Sequence, residues 1–285
     1  MKILKALGKF WKHSSIRFKI GFIGTMFFLF LGFVVYYFPH ENPILFYTYT
    51  RNLSPNSQNL LGTTSLGQDI FWLLITSIHN SLQIGLIVAT IGGIIGILTG
   101  FLAGFLGRFP DRIISVVADT FIVIPSLPIL ILLGSLIGGQ GSSTLMMALA
   151  LALFAWAWPC RQIRSMALSM RERDFIHTAK FSGQGTLQII VTEQLPYAMT
   201  WSLSNFMNAT LVAIATESSL AVLGLSPADL ISLGNMIQWS RERNAIFAGY
   251  WNWIGSPIIA TILLFVFLFM MVTGYNDYLS KRRGR

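Results

Sequence analysis

Residues Cys160–Pro196 read CRQIRSMALSMRERDFIHTAKFSGQGTLQIIVTEQLP, a polar interval between two long apolar runs. The interval holds five of the chain's twenty Lys and Arg residues: Arg161, Arg164, Arg171, Arg173 and Lys180. Phe175, Ile176 and Ala179 fall at i, i+1 and i+4, and Leu187, Ile190, Val191 and Leu195 at i, i+3, i+4 and i+8. Both spacings put apolar side chains on one face of a helix. Gly183 and Gly185 divide the two sets, and Pro196 closes the second. The stretch therefore predicts a water-exposed pair of short helices with apolar stripes, held between membrane segments and shaped for a partner protein.

Composition agrees with membrane flanks. Of 285 residues, 54% are hydrophobic and 11% charged, whereas soluble domains carry roughly 25% charged residues. The net charge of +9 is spread over the ends of apolar runs and forms no single basic patch, which argues against nucleic acid as a partner. Cys160 is the sole cysteine, so neither an internal disulfide nor a thiolate metal cluster can form. His13, His40, His79 and His177 lack metal-ligand spacing, and no metal site is expected.

Working outward, the apolar runs predict an all-α, polytopic protein with six transmembrane helices. The first, Ile20 to Phe38, follows a basic tail. It is longer than a signal-peptide core and lacks a small-residue cleavage site after it, so it is expected to stay uncleaved. Residues 39–80 are mixed and turn-rich. A second span is expected over Leu82–Gly107, where Gly92, Gly96, Gly100 and Gly104 form a small-residue ridge suited to close helix packing. After the GRFPDR turn, a third span covers Ile113–Gly138, with Asp119, Pro125 and Pro128 inside it. The GGQGSS turn (138–143) has neither a dinucleotide fingerprint nor a P-loop. A fourth span runs Thr144–Trp158, a fifth Met199–Leu223 and a sixth Ile254–Tyr275. This divides the chain into residues 1–80 (tail, first helix, extracytoplasmic segment), a transmembrane core over 81–275 with a cytoplasmic loop at 160–196, and a basic tail over 276–285.

Charge gives the orientation. The segments on the side of the N-terminus (1–19, 107–112, 160–196 and 276–285) hold seventeen of the twenty Lys and Arg residues; Arg51, Arg241 and Arg243 lie opposite. The basic excess faces the cytoplasm, which places both termini and the central interval there.

Inside the spans, Asp119 and Glu217 are expected to face protein or water, because an ionisable group in the bilayer core costs at least about 2.5–3.5 kcal/mol. Each reads either as lining of a translocation pathway or as a structural hydrogen-bonding group. Asn205, Asn208 and Thr210 add polar surface to the fifth span, and Asn205, Asn208 and Ser218 join the pathway candidates. Trp156, Trp158, Trp251 and Trp253 suit interfacial belts. No HExxH, GxSxG or serine–histidine–acid set can be assembled, so no catalytic residue is expected.

The order Ala179, Gly183, Leu195-Pro196 resembles the "EAA" loop of ATP-binding-cassette importer permeases, and RERDF resembles its version in the dipeptide/oligopeptide/nickel subfamily, in the second or "C" subunit. LGTTSLGQDI (61–70), ADTFIVIPSLP (118–128) and ESSLAVLGL (217–225) followed by GNM (234–236) agree, together covering about Leu60 to Tyr275. His177 and Thr178 stand where that family usually has Glu and Ala, and Gln68 where Arg is common. The resemblance implies a MetI-like permease fold in a multi-pass cytoplasmic (inner) membrane protein that moves peptides. It also implies ATPase coupling through Arg173, Asp174, His177, Thr178, Ala179, Gly183, Leu195 and Pro196 in the loop 172–196. The implied partners are a sister permease, two ATPase chains that bind ATP and Mg, and an extracytoplasmic solute-binding protein. This chain itself is expected to be a non-enzymic transport subunit without a cofactor. The same machinery could carry nickel or other metal chelates, opine-type metallophores or oligosaccharides, and six spans alone would also allow a membrane scaffold.

Overall fold

The computed structural model describes residues 11, 14–38, 41–137, 143–227 and 229–283. The described residues are nearly all helical, with one isolated bridge between Thr63 and Asp69. The GGQGSS turn, apart from Ser143, and most of the basic N-terminal tail lie outside them.

Helix α1 (Ile16–Phe33) starts four residues before the expected span because Ser15 caps it, its hydroxyl accepting from the Phe18 amide at 3.2 Å. Helix α2 (Ile70–Leu106) starts twelve residues earlier than the sequence suggested. Asp69 is the reason: its carboxylate accepts from the amides of Phe71 and Trp72 at 2.8 and 3.3 Å, so the apolar IFWLLI run is helix from its first residue. At 37 residues, α2 is about 55 Å long, well beyond a hydrocarbon core of about 30 Å.

The third span is broken. Helix α3 (Arg108–Val123) takes in most of the GRFPDR stretch read as a turn, and α4 (Ser126–Ile137) follows at a 76° bend. Ile124 is extended (φ −62°, ψ 124°), the conformation imposed on a residue that precedes proline, here Pro125. The fourth span runs on where a stop was expected. Helices α5 (Ser143–Ala155) and α6 (Ala157–Arg171) are joined by Trp156 in a helical conformation. Pro159 falls in the first turn of α6, where a missing N–H costs little. Thus residues 160–171 are helix continuous with the span, and the hook proper begins at Glu172.

The hook comprises α7 (Asp174–Phe181), the single turn α8 (Thr186–Ile189) and a π-helical turn over Ile190–Gln194. Helix α9 (Leu195–Val222) follows without a gap, so Leu195-Pro196 opens the fifth helix and does not close a separate one. A short α10 (Leu233–Glu242) is capped by Ser232. Helix α11 (Trp251–Arg283) absorbs most of the expected C-terminal tail.

By length and apolarity, four segments qualify as membrane spans: Ile16–Tyr37, Ile70–Phe105, Thr144–Arg171 and Trp251–Lys281; the bent α3–α4 pair makes up to five. Helix α9 is 28 residues long, but seven polar side chains between Asn205 and Ser219 keep it out of that group.

The chain divides into two compact units. One comprises Met1–Gly85, Leu133–Met147 and Leu211–Arg285, the other Leu86–Leu132 and Ala148–Thr210. In the first, α1 lies along α11, with Gly21 and Gly24 against Phe267 and Met271. Its core joins Ile70 and Leu73 to Ile231, Met236, Ala245 and Trp253. Trp253 is thus a core residue, contrary to the interfacial role expected of it, while Trp158 and Trp251 are exposed. In the second, the glycine ridge performs as its spacing suggests. A Cβ on Gly92, Gly96, Gly100 or Gly104 would lie 2.6–2.7 Å from atoms of Ala155, Pro159, Cys160 or Ala167, so α2 meets α5–α6 at backbone distance.

Candidate functional site

The hook is built on the second unit. Ile176, Ala179 and Ile189 are buried together against Phe105 of α2. Next to them Phe101, Ile163, Ala167, Met170, Ile190 and Ala198 form a second cluster. The seating face is therefore Ile176, Ala179, Ile189 and Ile190. Phe175 and Val191, which the sequence spacing put on the apolar stripes, are exposed. The side chain of Leu187 lies outside the description.

Helix α7 ends on Gly183, which has φ +78°. The Gln184 amide donates across it to the Ala179 carbonyl at 3.2 Å and the Ser182 amide to Thr178 at 3.0 Å, the wrapped ending of a Schellman turn. Among the described residues, no atom beyond its chain neighbours lies within 4 Å of where a Gly183 Cβ would be. Glycine is required here by conformation and not by space.

With one face seated, α7 leaves the other in solvent. Arg173, Asp174, His177 and Thr178 are exposed, and Phe181, one turn further, is 91% exposed. The structure thus separates the hook residues named from the sequence. Arg173, Asp174, His177 and Thr178 form an outward edge. Ala179 seats the hook, Gly183 shapes its turn, and Leu195 and Pro196 belong to the start of α9. Phe181 was missed, though a large apolar residue two positions before a helix-ending glycine is a readable signal. The seam into α9 is unusual. The Leu195 amide donates to Ile190, five residues back. Gln194 is fully buried with neither side-chain amide atom hydrogen-bonded among the described residues.

Asp119 is not buried in this chain. Its side chain is 56% exposed and pairs with Arg161 at 3.4 Å. A second pair on the same α3–α6 face is better formed: Arg164 grips both carboxylate oxygens of Asp111, through Nε to Oδ1 and through Nη2 to Oδ2, the latter at 2.8 Å.

On α9, Trp201, Asn205, Asn208, Val212, Thr216 and Ser219 recur every three or four residues, and all are exposed or half-buried. Asn205 and Asn208 make no side-chain hydrogen bond among the described residues. Glu217 and Ser218 lie off this stripe and are buried. The Ser232 hydroxyl donates to Glu217 Oε1 at 2.7 Å and the Ser226 hydroxyl reaches the same oxygen at 3.4 Å. Ser232 Oγ in turn accepts from the Asn235 amide, and the Asn235 side chain donates to the carbonyls of Pro227 and Leu230 at 3.1 and 2.6 Å. A Cβ on Gly234 would lie 2.6 Å from Ala221 Cβ, so α10 packs tightly where this network ties it to α9. Glu217 Oε2 and the Ser218 hydroxyl have no partner among the described residues. The geometry makes Glu217 the anchor of the 226–242 segment. Ser226 and Ser232 were not readable as its partners, nor Asn235 as theirs, since they lie 9 to 18 positions beyond Glu217 in sequence.

Among the described residues, no three His, Cys, Asp or Glu side chains converge as a metal site would require.

This arrangement can be set beside known proteins. Over 237 residues the chain is 30% identical to the oligopeptide transport system permease protein OppC of Mycobacterium tuberculosis, covering 81% of this chain and 80% of that protein. Over 268 residues it is 29% identical to OppC of Lactococcus lactis, covering 91% and 90%. Residues 96–285, from the middle of the glycine ridge through the hook to the last helix, match the family described as binding-protein-dependent transport system inner membrane component, and the chain belongs to that family.

Proposed function

We propose that this chain is the peptide-moving permease subunit of an ATP-binding-cassette importer, coupled to separate ATPase chains through its hook. The observation that carries the coupling is the two-faced α7. One face is locked to α2 through Ile176 and Ala179, and the opposite edge, from Arg173 to Phe181, is left to solvent. A rigid element held on one side and unpartnered on the other can pass a partner's movement to the spans. Peptide as cargo rests on the named function of the relatives.

In this reading the membrane is crossed six times, by α1, α2, α3–α4, α5–α6, α9 and α11, with both termini and the hook in the cytoplasm. The distribution of Lys and Arg supports this orientation. The half-polar stripe of α9 through Asn205 and Asn208 turns toward the pathway. Asp119, level with Arg161, lies at a water-accessible edge of it, and Glu217 with Ser218 holds the segment that borders it. A sister permease completes the channel, an extracytoplasmic binding protein delivers the peptide, and ATP with Mg is bound and hydrolysed by the partner ATPases.

The test is co-purification. Phe181→Asp or removal of 172–196 should abolish capture of the ATPase chains and ATP-driven peptide uptake. Retained capture and uptake in both variants would refute the coupling role.

A further inference from the structure

Two basic ends of the chain meet within the first unit. Helix α11 touches α1 at Gly274, where a Cβ would collide with the Phe18 backbone. The Ser15 hydroxyl donates to the Gly274 carbonyl at 3.4 Å, and the Phe18 and Tyr275 rings are 6.3 Å apart. Further along α11, Asp277 lies 4.0 Å from Arg17, and Lys281, which is exposed, follows at i+4. Ahead of α1 the chain turns back. Ser15 is extended (φ −63°, ψ 153°), and the Trp11 ring packs edge-on against Phe18 and Phe22, at 6.4 and 5.5 Å between centroids. In one straight helix Trp11 and Phe22 would stand about 16.5 Å apart along the axis. Trp11 therefore lies beside the first two turns of α1, level with the start of its apolar run at Ile20.

We propose that residues 2–12 form a basic amphipathic anchor that lies on the membrane surface and binds the headgroups of anionic phospholipids. Its apolar side enters the acyl chains beside α1. Its lysines meet the lipid phosphates together with Arg17, Lys19 and Lys281. The inference goes beyond the permease reading and holds whatever the cargo.

Spacing and charge select this partner. Ile3, Leu4, Leu7, Phe10 and Trp11 fall at i, i+1, i+4, i+7 and i+8, and Lys2, Lys5, Lys9 and Lys12 at i, i+3, i+7 and i+10. At a helical period the two sets occupy opposite faces. A segment with lysines on one side and Leu, Phe and Trp on the other suits the plane of the membrane interface. Residues 1–19 hold six Lys and Arg and no Asp or Glu, while residues 276–285 hold four with one acid, Asp277. The contact of Asp277 with Arg17 therefore leaves the cluster cationic, and each Lys or Arg near a membrane surface adds to the attraction for anionic lipid. Other partners answer half of this pattern. A zwitterionic lipid satisfies the apolar side and leaves the charge excess unanswered. Nucleic acid or an acidic protein answers the charge but not the apolar side, which Trp11 fixes at the level of Phe22 in a membrane-length helix.

The test uses the complete transporter in nanodiscs of phosphatidylcholine mixed with a minority of phosphatidylglycerol. Phe10→Cys, on the apolar face, carries a bimane label. Cys160 is buried, and the partner chains are prepared without exposed cysteines, so the label reports this position. Quenching is compared for phosphatidylglycerol and phosphatidylcholine, each spin-labelled near the top of the acyl chain and added at the same mole fraction. Both should quench, phosphatidylglycerol by about 3-fold or more over phosphatidylcholine, and high salt should weaken that preference. Lys2→Gln, Lys5→Gln, Lys9→Gln and Lys12→Gln together should cut the preference by about 2-fold or more, while phosphatidylcholine still quenches. Equal quenching by the two lipids with the lysines intact, or a preference unchanged by their removal, overturns the recognition of anionic headgroups. No quenching by either lipid places the segment off the membrane and overturns the inference entirely. Peptide uptake by the same assembly in proteoliposomes decides the permease reading separately.

Discussion

Gly183 offers the sharpest handle on the hook, because its φ of +78° and the empty space around its missing side chain separate backbone strain from steric clash. A Cβ added there meets no atom within 4 Å among the described residues beyond its chain neighbours, so the effect of a substitution is assigned to holding an L-residue in the left-handed region. That costs roughly 1–2 kcal/mol, least for Asn and most for β-branched residues. The strain acts on the turn that closes α7, where the Gln184 amide reaches back to Ala179. One or two kcal/mol changes the ratio of seated to displaced hook by about 5–30-fold. Gly183→Asn should therefore transport close to wild type, while Gly183→Val should lose most ATP-driven uptake. Membrane insertion of both should stay normal, because the spans are untouched. The assay is uptake into vesicles carrying the full transporter, beside capture of the ATPase chains on the purified permease pair. If the Asn and Val variants transport equally, whether both well or both poorly, backbone strain at this turn does not govern coupling and the reasoning fails.

Other expectations follow from the same geometry. A Cβ on Gly100 would lie 2.6 Å from the Cys160 carbonyl, so Gly100→Ala should destabilise by about 1–3 kcal/mol; Gly93→Ala, with nothing within 4 Å, should be neutral or gain up to about 1 kcal/mol. Thermal unfolding of the two variants in detergent checks the contrast. Arg164→Lys should lower the unfolding midpoint more than Arg161→Lys, because only Arg164 makes a two-pronged, largely shielded pair. Glu217→Gln keeps an acceptor for Ser232 and should preserve both folding and uptake. Glu217→Ala should lose about 2–4 kcal/mol in the same unfolding assay, since it orphans the Ser232 hydroxyl and leaves a cavity.

What was legible in the sequence depended on the range of the interaction that decides each feature. The glycine ridge was readable because a four-residue repeat puts small residues on one helix face regardless of what packs there. The hook was readable from Gly183 and from Ile176 with Ala179. Its seating on Phe101 and Phe105 was not, because those residues lie about seventy positions upstream in a helix whose own pattern is uniformly apolar. For the same reason, the spacing rule could not tell Phe175 from Ile176. Both are apolar and adjacent, and only the position of α2 decides which one is buried. The early start of α2 was present in Asp69 as a cap before IFWLLI, but the polar Thr76, His79 and Asn80 that follow masked it. His79 is buried, its Nδ1 2.7 Å from the Gly32 carbonyl and its ring stacked on Tyr36. A polar residue that is satisfied by a distant partner looks, in sequence, like a solvent-facing one.

Leu195-Pro196 shows the limit most plainly. A proline after a helical pattern reads as a stop, because its ring collides with the carbonyl four residues back and its nitrogen cannot donate. Here the chain widens just before the proline. The Leu195 amide skips one position and bonds to Ile190, and the π-turn moves the preceding carbonyls out of register with the ring. The helix then passes through Pro196 with no break in its course. The consequence is mechanical. The hook's second arm and the membrane-length α9 are one continuous element, joined at a turn whose buried Gln194 side-chain amide has no partner among the described residues. A push on the exposed edge of α7 would reach α9 through the Ser182–Gly185 turn and then through this π-turn, with helix on either side of each. The residue that reads as punctuation is thus where the hook and the long α9 are joined.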